Sequence, residues 1–301
     1  MAWTHYLLAS AAMLALYDLA KKASVRGNAV LPTLVCSTAF GFAAFVAGLI
    51  LCGRLPQAVS LDPRLLAISG GKALIVAVSW IFTFCALRTL PISIATPIRA
   101  SAPALVFLAS LFLYGERPSP VQAFGMALVF GGYFVFSWAG RHEGIDFRRN
   151  RAVWYAFGGM FFSACSSLWD KYLFQIVAYP VEQLQFCFQI FLFFLYSLLL
   201  GGLSLYRFIR RRSGRPLPPP EHPFVWRWSI PLVGISLALS DWLYFTAIAF
   251  PDVPISVSSL LRRVSVVFTF ILGAKFFRET NLRRKALALV VILAGVALLC
   301  L

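Results

Sequence analysis

The chain has 301 residues, of which 60% are hydrophobic and only 13% are charged. Soluble domains carry about 25% charged residues, so this composition excludes a soluble globular protein and predicts a chain that lies mostly in a lipid bilayer. The formal net charge of +16 at pH 7 does not indicate a nucleic-acid partner. The basic residues cluster in short segments between apolar runs, which is the pattern that orients membrane proteins.

Ten apolar runs have about the 20 residues that a membrane-spanning helix needs. The first has no basic region before it and no small-residue cleavage site, so it is predicted to be a span rather than a cleaved signal. Two connections are long, 140–151 and 206–228. The second is predicted to be a solvated basic strand followed by a polyproline spacer. The predicted spans are 3–21, 29–52, 66–88, 92–115, 120–139, 152–174, 181–205, 229–250, 254–277 and 281–301.

The six cysteines and three histidines do not form a metal-binding or redox motif. The cysteines are scattered without Cys-x-x-Cys spacing, and the histidines lie near the termini or in predicted loops. Isolated cysteines in an apolar chain are typical of small core residues. The sequence therefore predicts no metal and no cofactor.

One pattern occurs twice, at an offset of 163 residues. In each copy a Pro-Ile-Ser triplet, beginning at Pro91 or Pro254, opens an apolar run. An arginine follows eight residues after the proline, Arg99 in the first copy and Arg262 in the second, and a glutamate follows the end of the run. An internal repeat in an apolar chain is typical of transporters built from two halves.

The repeat extends to the first span of each half, where Asp18 and Asp170 follow a leucine and an aromatic residue. Each half then has five spans, and an odd number makes the second half enter the membrane in the opposite sense. The predicted fold is an all-α membrane protein with ten transmembrane helices in two inverted repeats. The boundaries are 1–139 for the first repeat, 140–151 for the linker and 152–301 for the second repeat.

The loops on one side of the predicted membrane hold 18 lysines and arginines. The loops on the other side hold only Arg54, Arg64 and Arg117. Basic loops are retained in the cytoplasm, so the basic side is predicted to be cytoplasmic, with both termini outside.

Ten spans in two inverted five-helix halves resemble the drug/metabolite transporter superfamily, in its EamA-like branch. Gly115-Glu116, its counterpart Arg278-Glu279 and the two Pro-Ile-Ser openings carry the resemblance. It covers the whole chain and implies a basket-shaped bundle with a central substrate cavity and alternating access. Known substrates of the superfamily range from amino acids and amines to nucleotide sugars, sugar phosphates and drugs. Two features depart from the family pattern: Arg278 replaces a glycine, and many relatives keep both termini in the cytoplasm.

Two arginines are predicted to lie near the middle of the bilayer. Arg99 and Arg262 each follow their proline by eight residues, which is roughly 12 Å into a core about 30 Å thick, from opposite faces. Charged side chains at this depth usually face a cavity or a partner. Arg263 follows directly, and this adjacent pair is similar to the phosphate-contacting pair of the sugar-phosphate translocator relatives.

Asp241 is the predicted partner of Arg262 or Arg263. The two predicted spans form a hairpin whose turn centres near Asp252, and all three side chains lie ten or eleven residues from it. Residues at equal distance from a hairpin turn lie at equal depth on adjacent antiparallel helices. The equivalent hairpin of the first half places no acid opposite Arg99.

Asp18 and Asp170 are further candidate site residues. Asp18 has Lys21 and Lys22 three and four residues later, so a local ion pair is predicted. Asp170 has no basic residue at either spacing, and its repeat position makes it a candidate for substrate contact.

Aromatic residues accompany these charges in the sequence: Tyr17, Trp80, Trp169, Trp242 and Tyr244. Such residues pack in cores and at membrane interfaces, and they also form cages that hold quaternary ammonium groups by cation–π attraction. The last four are retained as candidate substrate-binding residues beside the arginines and the aspartates.

If Asp241 neutralises one arginine, up to two positive charges near the midplane need another anion. Arginine binds carboxylate and phosphate groups bidentately. The sequence therefore predicts a secondary transporter that moves a small polar metabolite with such a group by alternating access, and a zwitterion such as an amino acid also fits. The chain is placed in the cell (inner or plasma) membrane, with protons or a counter-substrate as candidate coupling partners.

Two alternatives remain within the same fold: an exporter of cationic amines or drugs, and a flippase of a lipid-linked substrate. A membrane enzyme is not favoured, because the charges near the midplane are mostly basic and the histidines lie elsewhere.

Overall fold

The computed structural model of the protein is helical throughout the part of the chain that it describes. Within that part there is no β-strand. The described residues are 2–60, 62–100, 102, 105, 109, 119–141, 149–173, 179–213, 222–250, 255–277 and 282–299.

Eleven helices lie in these residues. In chain order they are α1 Ala2–Val25, α2 Val30–Leu51, α3 Leu55–Ala58, α4 Pro63–Thr89, α5 Ile92–Ala100, α6 Pro120–Arg141, α7 Arg151–Tyr172, α8 Val181–Arg212, α9 Ser229–Ile248, α10 Ile255–Phe276 and α11 Leu282–Leu299.

The first residue of each predicted span lies within three residues of the first residue of an observed helix. Among the described residues, α2, α4, α8 and α9 have both the length and the hydropathy of membrane-spanning helices. The chain is therefore an all-helical, multi-pass membrane protein. The count of ten spans stays a prediction, and the region between α5 and α6 that contains Gly115 and Glu116 lies mostly outside the described residues, as do Arg278 and Glu279.

The predicted end of α8 was wrong. Hydropathy falls after residue 205, but the helix continues to Arg212. The residues from Tyr206 to Arg212 include no glycine or proline, and arginine is a good helix former that favours the last turn of a helix. The segment predicted as a basic strand is therefore helical, and the proline-rich residues after it lie outside the described part.

The orientation of α8 can be measured with a cysteine at Ser213, directly after the helix. We expect Ser213→Cys, in a Cys52→Ser background, to resist a membrane-impermeant thiol reagent in intact cells and to react after permeabilisation. The parent protein is the control. It retains Cys52, which is exposed just after α2 on the side predicted to be outside, so it should react in intact cells. The opposite pattern would place the basic side outside.

The helices pack in pairs from different parts of the chain. The first helix, α1, lies against α9 and α10, and α7 lies against α4 and α5. The second helix, α2, packs on α8 and α9, while α6 packs on α11. The α2–α9 pair is very close: a methyl group at Gly234 would overlap the backbone carbonyl oxygen of Ser37 and lie 2.6 Å from the backbone nitrogen of Gly41. Glycines permit this approach because they have no side chain.

Reciprocal serine hydrogen bonds join α1 to α9. The Ser10 hydroxyl donates to the Ser240 backbone carbonyl at 2.8 Å, and the Ser240 hydroxyl donates to the Ser10 carbonyl at 3.0 Å. At the other end of α1, Ser24 donates to the Ser229 hydroxyl at 2.7 Å. Buried polar groups without such partners would destabilise a helix pair in lipid.

Among the described residues, a large hydrophobic core runs through the bundle, with Tyr17, Phe84, Leu87, Ile92 and Tyr196 among its buried members. Large apolar side chains are exposed on the outside of several helices, as expected where the bilayer replaces water. They include Phe124, Phe130, Trp154, Phe161, Phe194 and Leu198.

The start of α4 is fixed by Asp62. Its carboxylate accepts hydrogen bonds from the Arg64 backbone N–H at 3.0 Å and from the Tyr179 hydroxyl at 2.8 Å. The bonds from Tyr179 and Arg64 hold the pKa of Asp62 below its usual value, because they stabilise the ionised form. This contact ties the start of α4 to the segment that leads into α8.

Candidate functional site

A cavity of about 250 Å³ lies in the middle of the bundle, between α1, α4, α5, α7, α8, α9 and α10. Its described wall carries five charged side chains together with serine, aromatic and aliphatic residues. The charged members are Lys72, Arg99, Asp170, Asp241 and Arg262. Clusters of ionisable groups in the interior of a membrane protein are rare and usually functional.

Arg262 and Asp241 form the ion pair predicted from the hairpin geometry. The guanidinium donates to the carboxylate at 2.7 Å, and both side chains are about four-fifths buried. The guanidinium also lies 3.9 Å from the centre of the Tyr244 ring, in cation–π contact. Within the part of the chain that the structure describes, the Arg262 Nε atom is buried and has no hydrogen-bond partner.

Lys72 and Asp170 form a second ion pair, which joins α4 to α7. Lys72 is 2% exposed and also lies over two aromatic rings, 4.9 Å from the Phe188 centroid and 4.6 Å from that of Phe245. Asp170 has no basic residue three or four positions later on its own helix. Its partner instead comes from a helix 98 residues earlier in the chain.

Asp18 lies directly behind the cavity wall, fully buried, and binds two cations. The predicted local pair with Lys21 is confirmed, at 2.9 Å. Lys22 instead donates to backbone carbonyls at the end of α4, including that of Leu87 at 2.6 Å. Asp18 also accepts a hydrogen bond from Arg99.

The expectation that Arg99 lacks an acid was therefore wrong. The error has a simple cause, because the carboxylate comes from α1 and not from the adjacent hairpin. As a consequence, Arg99 is not an unpaired charge, although Asp18 is shared between Arg99 and Lys21.

The candidate aromatic residues separate into two groups. Trp80 and Tyr244 line the cavity. Trp169 packs in a side cluster with Leu65 and Leu184, and Trp242 packs in another with Phe45 and Leu49. The described lining includes neither Trp169 nor Trp242. The side chain of Arg263 lies outside the described residues.

Several wall residues were not among the candidate site residues that the sequence predicted. Tyr17, Lys72 and three serines of α7 belong to the wall. The serines, Ser163, Ser166 and Ser167, have the i, i+3, i+4 spacing of one helix face, so a signal was present in the sequence. It indicated a polar face on an otherwise apolar helix.

Comparison with known proteins agrees with this architecture. The sequence model of the EamA-like transporter family matches residues 1–138. These residues are similar to that family, which is a branch of the drug/metabolite transporter superfamily, and the resemblance inferred from the sequence is confirmed for them. The family consists of membrane transporters and not of enzymes. None of the curated proteins compared matches the chain.

A solved crystal structure of a protein aligns with 97% of this chain and 95% of its own chain, with a TM-score of 0.56 and 21% sequence identity. At this identity the likeness shows the fold alone.

Proposed function

We propose that the protein is a secondary transporter that moves a small metabolite with a carboxylate or phosphate group across the cell (inner or plasma) membrane. The observation that carries this proposal is the pair of guanidinium groups on the wall of the central cavity. Arg99 and Arg262 are the residues of the internal repeat, and both retain partial exposure, 20% and 23% of their side chains. A planar guanidinium binds carboxylates and phosphates bidentately.

Charge balance supports an anionic group on the substrate. The described wall carries three cations, Lys72, Arg99 and Arg262, but only two carboxylates. Asp18, behind the wall, is shared between Arg99 and the buried Lys21. An unbalanced cation in a medium of low dielectric is costly. An anionic group in the cavity would offset that cost, and the exposed part of the Arg262 side chain offers it hydrogen bonds.

A zwitterion fits the cavity as well as a simple anion. Asp241 also lines a smaller adjoining cavity of about 30 Å³, together with Gln189. The Gln189 Oε1 atom is buried and has no hydrogen-bond partner among the described residues. An ammonium group placed there could donate to both side chains. Free amino acids are therefore included in the proposed substrate class.

The aromatic contacts favour this substrate class over a quaternary amine. Tyr244 already stacks on Arg262, and Phe188 and Phe245 lie against Lys72. Rings occupied by cations of the protein are not free to form a cage around a cationic ligand.

The helix pairing supports two inverted repeats, 1–139 and 152–301 with the linker 140–151, and alternating access between them. Contact of α1 with α9 corresponds to contact of α7 with α4, and contact of α1 with α10 corresponds to contact of α7 with α5. Contact of α2 with α9 likewise corresponds to contact of α8 with α4. Exchange of the two halves thus preserves these pairs, as an inverted repeat requires. Protons or a counter-substrate are the proposed coupling partners, since two carboxylates, Asp170 and Asp241, lie on the wall of the cavity.

A binding experiment on purified protein tests the substrate class. A thermal-shift screen against amino acids, organic acids, sugar phosphates and quaternary amines should identify an anionic or zwitterionic ligand, because a ligand bound only by the folded state raises stability. Arg99→Ala and Arg262→Ala should each weaken its binding by more than about tenfold. Lysine at either position should restore part of it.

Arg54→Ala is the matched control, since Arg54 pairs with Glu182 at 3.1 Å on the surface and is 56% exposed. It should bind the ligand like the parent. Tight binding of quaternary amines that both arginine variants retain, with no anionic ligand found, would overturn the proposal.

A further inference from the structure

The last twelve residues of α8 stand apart from the rest of the bundle. The helix has 32 residues, which corresponds to about 48 Å, whereas the hydrocarbon core of a bilayer is about 30 Å thick. Even a tilt of about 40° leaves roughly 37 Å along the membrane normal. The C-terminal end of the helix therefore reaches beyond the hydrocarbon core, and residues 201–212 are called the α8 extension.

We propose that the α8 extension is a binding surface for the headgroups of anionic phospholipids. This inference does not depend on the identity of the transported substrate. It rests on the exposure, composition and position of the extension.

The extension makes little contact with the protein. The last buried residue of α8 is Tyr196. From 201 to 212, every residue is exposed except Arg210, which is half-buried. Its side chains are thus free to meet lipid and solvent.

Its composition combines guanidinium groups with apolar side chains. No acidic residue lies between Glu182 and Glu221. Large apolar side chains alternate with the arginines and are about half exposed. The arginines are Arg207, Arg210, Arg211 and Arg212, and the apolar residues are Leu203, Leu205, Tyr206, Phe208 and Ile209.

Two cation–π contacts order this surface. The Arg210 guanidinium lies 5.6 Å from the Tyr206 ring centroid, and that of Arg212 lies 5.3 Å from Phe208. Arginine on an aromatic face keeps its N–H groups available for phosphate.

The position of the arginines matches the headgroup layer. If α8 enters the hydrocarbon core at Val181, about 20 residues bring it to the opposite face. Arg207 then lies seven residues further on, about 10 Å past that face. Long basic side chains reach back toward the phosphates while their stems cover apolar surface. The basic side is the predicted cytoplasmic side, where anionic lipids attract polybasic segments.

The alternation of arginines with apolar residues favours lipid over an acidic protein or a nucleic acid. Binding of a soluble polyanion would satisfy the arginines but leave Leu205, Phe208 and Ile209 in water. A lipid surface satisfies both, because its phosphates meet the guanidinium groups while its acyl region receives the apolar side chains.

The test is binding of a fluorescent phosphatidylglycerol to the full-length protein in neutral detergent, with phosphatidylcholine as the reference. We expect the parent to prefer phosphatidylglycerol by roughly tenfold at low salt, and the preference to weaken as salt is raised. The variant R207Q/R210Q/R211Q/R212Q should lose most of this preference. Glutamine is a good helix former, so the extension should remain helical.

The control variant R149Q/R151Q/R283Q/R284Q also removes four exposed arginines from the predicted cytoplasmic side. It should keep the lipid preference of the parent. An equal loss of the phosphatidylglycerol preference in both variants would show that it depends on net charge alone, and would overturn the proposal. So would the absence of a preference in the parent, or tighter binding of polyglutamate or an RNA oligonucleotide than of phosphatidylglycerol to the extension.

Discussion

Lys72→Met is expected to lower the free energy of unfolding by about 3 kcal/mol and to abolish transport. Lys72 is almost fully buried, and its partner Asp170 is 18% exposed. Removing one member of a buried ion pair leaves an uncompensated charge, which typically costs about 3–5 kcal/mol. The pair also joins α4 to α7, so its loss affects the contact between the two parts of the chain that surround the cavity.

A double variant separates the two effects. The double variant, Lys72→Met with Asp170→Asn, removes both charges. Its free energy of unfolding should return to within about 1 kcal/mol of the parent value. Its transport activity should stay absent, because the transport cycle needs the two charges. Unfolding midpoints in detergent and uptake into vesicles measure the two quantities. Arg54→Ala is the reference for an exposed pair and should change stability by less than about 1 kcal/mol. A stable, active Lys72→Met protein would contradict the assignment of this pair.

Gly234→Ala is expected to destabilise the protein by about 3 kcal/mol. Alanine normally favours a helix over glycine by about 1 kcal/mol, so the propensity term alone predicts the opposite sign. The added methyl group would overlap the backbone of α2 at Ser37 and Gly41. Backbone atoms cannot rotate away as a side chain can, and the two helices would have to separate.

Gly48→Ala in α2 provides the matched comparison. No atom lies within 4 Å of the position that its methyl group would take, so its stability should equal or slightly exceed that of the parent. The unfolding midpoints of the two variants, measured under the same conditions, show whether a methyl group at Gly234 destabilises the protein. A Gly234→Ala protein as stable as Gly48→Ala would show that the α2–α9 contact is not tightly packed.

An ion pair within one predicted hairpin could be inferred from the sequence, but pairs between distant helices could not. Counting residues from the predicted hairpin turn paired Asp241 with Arg262 or Arg263, and the pair with Arg262 is confirmed. Lys72 and Asp170 are 98 residues apart, and Arg99 and Asp18 are 81 residues apart. Pairs between distant helices depend on the order of packing, which one sequence does not reveal.

The second source of error was the assignment of side chains to helix faces. Trp169 and Trp242 lie next to Asp170 and Asp241 in the sequence, yet the structure places both tryptophans in side clusters. Adjacent residues on a helix point about 100° apart, so proximity in sequence does not place two side chains in one cavity. The spacing of Ser163, Ser166 and Ser167 was the better guide to the polar face of α7.

The serine hydrogen bonds between α1 and α9 can form only after α9 has been synthesised. Ser10 and Ser240 are separated by 230 residues, and ribosomes add about 5–20 residues per second. The first helix is therefore made some 10 to 50 seconds before its partner. During that interval the Ser10 hydroxyl cannot bond to Ser240. The N-terminal half of the protein is therefore made before α9, the helix that completes its hydrogen bonds.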